Sequence, residues 1–142
     1  MKPVIGVVIP LKTLLEKGVS YVTELGLTGC QLSCWDEAEL TAENAQRVRQ
    51  MGERIAISSM SAGWPGPKVW DFIQGPATLG LVPTAYRARR MEALVKAADF
   101  ARLAGITDVM THVGFIPENP ATSAYTELLA AVTWVAKAFQ ER

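Results

Sequence analysis

Four short apolar runs, separated by capped stretches of helical length, constrain this chain more than any other feature of its sequence. Val4 to Ile9 is a continuous apolar run stopped by Pro10, as expected of a parallel strand covered on both faces. Thr13 with Glu16 has capping-box spacing, and the helix it opens is expected to stop at Gly26. Thr28 to Cys34 reads as the second strand. Thr41 then caps a helix that turns Val48 and Met51 inward and ends at Gly52. Ile55 to Ser61 is the third strand, and Thr107 to Val113 is the fourth. Between them a third helix spans Thr84 to Ala104, with Met91, Leu94, Val95 and Ala98 on one face and Gly105 as its stop. Asn119-Pro120 fits the cap and first turn of a last helix striped by Tyr125, Leu128, Leu129, Val132, Val135 and Phe139. Repeating βα units demand a parallel sheet with right-handed crossovers. The expected fold is α/β, a single (βα)4 domain over residues 1–142.

Composition narrows the function classes. Hydrophobic residues make up 49% and charged residues 20% of 142, which fits buried strands and excludes a disordered chain. Fourteen basic and fourteen acidic side chains cancel, and no basic stripe is visible, so no nucleic-acid partner is expected. The apolar run before Pro10 is too short for a signal peptide or a membrane span, so no membrane partner is expected and a cytoplasmic location is. Cys30 and Cys34 lie four apart in a strand, on one face but too far apart to bridge. Two reduced core thiols are expected. Met51, Met60, Met91 and Met110 read as core filler. No G-x-G-x-x-G or P-loop pattern follows the first strand, which disfavours a nucleotide fold.

The candidate chemistry gathers where strands run out into loops. His112, the single histidine, stands where the fourth apolar run breaks into Gly114-Phe115-Ile116-Pro117. Strand-to-loop junctions fix a side chain yet leave it open to ligand. Imidazole suits substrate positioning or general acid/base work near neutrality, and the plainer alternative is a core histidine beneath the loop. The long loop from Ala62 to about Pro83 carries Trp64, Trp70, Phe72 and Leu79, too many bulky apolar groups for disorder. Trp64, Trp70 and Phe72 are candidates to wall a binding site, and Gln31 and Trp35, at the end of strand two, are weaker ones. Packing the loop onto the strand ends is an equal explanation for the tryptophans. Glu118 either contacts substrate or helps cap the last helix. Arg87, Arg89 and Arg90 offer a fork for phosphate, but a solvated helix face explains them more simply.

Several segments together resemble the sugar phosphate isomerase/epimerase group of xylose-isomerase-like TIM barrels. They are Gly29-Cys30-Gln31-Leu32-Ser33, Ala62-Gly63-Trp64-Pro65-Gly66-Pro67, Val69-Trp70-Asp71-Phe72, the run Gly75 to Pro83, and Thr111-His112-Val113-Gly114-Phe115-Ile116-Pro117-Glu118. The resemblance implies the N-terminal half of a barrel that moves protons between adjacent carbons of a carbohydrate. His112 is then the catalytic candidate, with Trp64, Trp70, Glu118 and Gln31 binding substrate. A divalent metal, Mn or Mg, is implied for a full-length barrel. Its ligands come mainly from strands five to eight, so none is expected for this chain alone. Four units cannot close an eight-stranded barrel of about 250 residues. Completion by self-association, as a homodimer or higher homo-oligomer, is therefore expected. Were Val7, Ile57 and Val109 or their alternates left wet on the inner face, over ~600 Å², the loss would be about 15 kcal/mol. The alternative function is a non-catalytic half-barrel that self-associates or binds a small ligand.

Overall fold

The computed structural model describes residues 5–142; Val4, with which the first apolar run opens, lies outside them. The strands are β1 Gly6–Pro10, β2 Gly29–Cys34, β3 Ala56–Ala62 and β4 Val109–Met110. They form one sheet in the order β1-β2-β3-β4, and each neighbouring pair is parallel. The sequential order follows from short βα connections, each of which returns the chain beside the strand it has just left. β4 is much shorter than the run Thr107 to Val113. Thr111 Oγ1 donates to Ala62 O at 2.8 Å, and Leu81 N donates to Val113 O at 2.7 Å. Past Met110, the chain leaves β3 and follows the long loop.

The helices are α1 Leu11–Lys17, α2 Ser20–Thr23, α3 Ala42–Gly52, α4 Gly75–Thr78, α5 Thr84–Ala104 and α6 Ser123–Gln140. Thr41 Oγ1 accepts from Asn44 N at the start of α3, and α5 ends against Gly105, both as expected. The first helix departs from expectation. Thr13 lies inside α1 instead of capping it, Pro10 precedes the helix, and Gly18 at φ 70° ends it well before Gly26. The last helix also starts later than Asn119-Pro120. Thr122 Oγ1 accepts from Tyr125 N as its cap, while Asn119 Oδ1 holds a turn by accepting from Ala121 N.

One layer of helices covers one face of the sheet. Ile9, Leu32 and Met60 are buried there with Val22, Val48, Leu94 and Ala101. Side chains alternate along a strand, so Val8, Gln31, Ser33, Ser59, Ser61 and Met110 fall on the opposite, inner face. Of the two phases left open in the sequence, Val7, Ile57 and Val109 pack against the helix-side core and their alternates line the inner face. The alternation corrects Met110, which is 54% exposed and is no core filler. β3 reaches its phase through a register shift. Cys30 pairs with Ile57 but Gln31 pairs with Ser59, leaving Ser58 as the extra residue.

On α6 the buried positions are Leu128, Ala131, Val135 and Ala138, while Leu129 and Trp134 are exposed. Of the stripe read in the sequence, Leu128 and Val135 are buried and Val132 and Phe139 pack against the core, while Leu129 falls outside it and Ala131 and Ala138 join it. Cys30 and Cys34 are buried free thiols. Among the described residues, no helix is long and apolar enough to cross a membrane.

Candidate functional site at the C-terminal ends of the strands

Three indoles and the imidazole meet where β2, β3 and β4 end. Trp35 follows β2, Trp64 and Trp70 come from the loop after β3, and His112 follows β4. Ring centroids are 5.1 Å apart for Trp35 and Trp64 and 6.0 Å for Trp35 and Trp70. His112 stacks on Trp64 at 6.4 Å and meets Trp70 edge-on at 5.1 Å. Trp64 is only 2% exposed, so it lies beneath the other rings and backs the wall without forming its surface. Its Nε1–H finds no acceptor among the described residues. A Cβ at Gly63 would overlap the Trp35 ring, so the bare backbone there is what lets that indole lie flat on the loop.

His112 is exposed, and the backbone on either side of it is tied down. Thr111 is hydrogen bonded to the end of β3 and Val113 to Leu81. Gly114 N donates to His112 Nδ1 at 3.0 Å. A backbone N–H can only donate, so Nδ1 holds a lone pair and the proton of the neutral ring sits on Nε2. In this geometry His112 offers Nε2–H to a ligand oxygen. The neutral ring is a hydrogen-bond donor at Nε2; acid work would first need a proton on Nδ1, and base work at Nε2 would need the other tautomer.

A concavity of about 180 Å³ lies beside the imidazole, lined by Trp70, Asp71, Phe72, Leu79, His112 and Phe115. Phe72 and Phe115 pack edge to face at 6.0 Å. Asp71 Oδ1 accepts from Ile73 N, Gln74 N and Gly75 N at 2.8, 2.6 and 3.4 Å, and so organises the turn into α4. The Gln74 N–H foremost, joined by those of Ile73 and Gly75, holds the Asp71 carboxyl below its ordinary value. Asp71 and Phe115 are site residues that side-chain type alone did not single out, although the D-F pair after Trp70 was visible in the sequence.

The other expected residues are more scattered. Gln31 lies on the inner face, where its Nε2 donates to Met110 Sδ at 2.7 Å. A thioether is a weak acceptor, so this amide keeps capacity for a better partner. Ser33, Ser59 and Ser61 continue the polar inner face beside it. Glu118 is exposed and makes no hydrogen bond or ion pair among the described residues, so it caps nothing. Of the arginine cluster only Arg89 fits a solvated face, where it pairs with Glu37 at 2.8 Å. Arg87 donates to Leu81 O and Val82 O and pairs with Glu127. Arg90 is completely buried under the returning loop, and burial lowers its pKa from the ordinary value.

Among the described residues, no three His, Cys, Asp or Glu side chains converge as a metal would require. His112 shares its concavity with a single carboxylate, Asp71, one oxygen of which is committed to three amides. This donor set does not fit a divalent metal.

No protein-family model matches the chain, and no curated protein does. Solved structures do match. A xylose isomerase domain protein from Planctomyces limnophilus aligns with a TM-score of 0.85 and 26% identity, over 99% of this chain and 52% of that one. A D-tagatose 3-epimerase-like protein aligns with a TM-score of 0.64 and 15% identity, over 96% of this chain and 49% of that one. The chain spans about half the length of the solved structures it matches. With four parallel strands in sequential order and helices on one face, it fits one half of a xylose-isomerase-like TIM barrel.

Proposed function

We propose that this chain is the N-terminal half of a sugar or sugar-phosphate isomerase/epimerase. In this reading it supplies the substrate-binding wall and one proton donor of a site that a second half completes. The observation that carries the reading is His112. Its free Nε2–H stands at the C-terminal end of the sheet, beside an aromatic concavity and above a polar inner face. Indole and phenyl faces suit the C–H faces of a carbohydrate, while Nε2–H, the Gln31 amide and the serine hydroxyls suit its oxygens. Trp70 is the exposed wall, Trp64 its support, and Glu118 a group free to reach a substrate hydroxyl. The names of the two solved structures, an isomerase domain protein and an epimerase-like protein, favour the same substrate class.

The metal implied by the resemblance has no fitting donor set on this chain, and a second copy of it brings none, so its ligands are assigned to a C-terminal half of different sequence. Isomerisation by this half alone is not expected. A second copy is proposed to close the barrel, not the metal site: among the described residues the outer edges of β1 and β4 are unpaired, and a two-fold pair of such halves closes eight strands. A non-catalytic half-barrel that pairs in this way and holds a small ligand is the second reading. The same exposed cavity and open edges favour it.

His112 is the only histidine, so its Hε1 resonance is a unique probe of the site. Titration with aldoses, ketoses and their phosphates is expected to move that resonance and to quench tryptophan fluorescence. In any completed assembly that isomerises sugars, His112→Ala should lower turnover by about 10²–10⁴-fold with the fold intact. If no sugar perturbs His112 and no assembly containing the chain isomerises one, the enzymatic reading fails.

A further inference from the structure

Both limbs of the long loop converge on one buried cation. Arg90 Nε donates to Pro65 O at 3.1 Å and Nη2 to Pro67 O at 2.8 Å, on the outgoing limb. Nη2 also donates to Thr78 O at 2.9 Å and Nη1 to Gly80 O at 2.6 Å, on the returning limb. The guanidinium lies 4.8 Å from the Tyr86 ring centroid and 5.5 Å from that of Trp64. No carboxylate pairs with it among the described residues, so backbone carbonyls and two aromatic faces supply its negative environment.

We propose that Arg90 is the positioning residue of the candidate site, setting the place of His112 through the loop. Two routes lead from it to the imidazole. The first runs through Trp64, whose ring neighbours both the guanidinium and His112. The second runs through Gly80, whose carbonyl Arg90 holds; the next residue, Leu81, hydrogen bonds to Val113, the neighbour of His112. A planar fork with five N–H donors reaches four carbonyls from two chain segments, and no other side chain does this. Lysine, with three donors on one atom, cannot hold both limbs. The geometry stands by itself; its bearing on ligands rests on the carbohydrate reading above.

The test uses the full chain with Arg90→Lys, Arg90→Met and, as a surface control, Arg89→Met. In the unsubstituted protein, the Trp64 and Trp70 ring currents are expected to displace His112 Hε1 from its free-peptide position. Both Arg90 variants are expected to return it toward that position while the amide signals of β1 to β3 stay in place. Arg89→Met should leave it unmoved. Any sugar that perturbs His112 should bind about tenfold or more weakly to Arg90→Lys, because the wall is no longer preorganised. An unmoved Hε1 in both Arg90 variants would overturn the proposal. Loss of the β1 to β3 signals in both would do so too, since Arg90 would then be a requirement of the fold. If no sugar acts on the unsubstituted protein, the carbohydrate reading fails, while the ring-current comparison still decides the positioning role.

Discussion

Gly114 N fixes the His112 tautomer, and this narrows its chemistry more than its position does. A ring that accepts at Nδ1 must lose that bond to become imidazolium, so acid work at His112 is coupled to movement of Gly114. The thiols behave in the opposite way. Burial first, and the charge of Glu39 second, push the Cys34 thiol up to about 12, while burial raises Cys30. The thiolate is the nucleophile, so both cysteines should resist a disulfide reagent at pH 8 and react only on unfolding. Rapid labelling of native protein would contradict this. A raised folded value stabilises fully below the ordinary thiol value near 8.5. That contribution should fade as pH rises toward the folded value. His112, the aromatic loop and the core thiols were legible in the sequence because each is a matter of residue type and local punctuation. The buried role of Arg90 was not, since it depends on a loop folding back across α5.

The long loop is the element on which the site depends, and its return limb has almost no clearance. A Cβ on Gly80, at φ 66°, would overlap the backbone of Val113 and Gly114, and one on Gly114 would overlap Leu79 O. Gly80→Ala is therefore expected to cost about 1 kcal/mol from its dihedral angle. Overlap should add about 1–3 kcal/mol. A urea midpoint indistinguishable from that of the unsubstituted chain would show that the two segments do not touch. Asp71 gives the loop a pH dependence of known sign. Its depressed carboxyl value stabilises the turn at pH above the ordinary value of about 4. That contribution is lost as pH falls through the depressed value. Trp70 fluorescence should report a loosening in that acid range, and Asp71→Ala should abolish the pH step. The helices and strands were readable from apolar period and caps. The ends of α1 and α6 were misread, because Thr13 and Asn119 carry capping chemistry at places where the chain turns elsewhere.

At the scale of the molecule, the open sheet decides how the chain behaves in solution. Its inner face carries Gln31, Ser33, Ser59 and Ser61, so the apolar area available to drive closure is smaller than an all-aliphatic face would give. The remaining drive comes from the unpaired edges and from Ile5 and Val8 at one side and Met110, Leu129 and Trp134 at the other, all more than half exposed. Sedimentation at micromolar concentration is expected to show a dimer or larger species. A stable 15.4 kDa monomer would exclude self-completion. Ser58 has a consequence of a different kind. The extra residue works as a phase switch: below it β3 sends Ile57 to the helices, and above it Met60 and Ala62 again face the helices while Ser59 and Ser61 face inward. Were the same seven residues to run without the bulge, the upper strand would reverse, burying two hydroxyls among the helices and turning a methionine inward. Deleting Ser58 would instead restore regular alternation and leave each upper residue on its present face. The polarity of this half-barrel's interior is thus set by the bulge at Ser58 as much as by the identity of the residues around it.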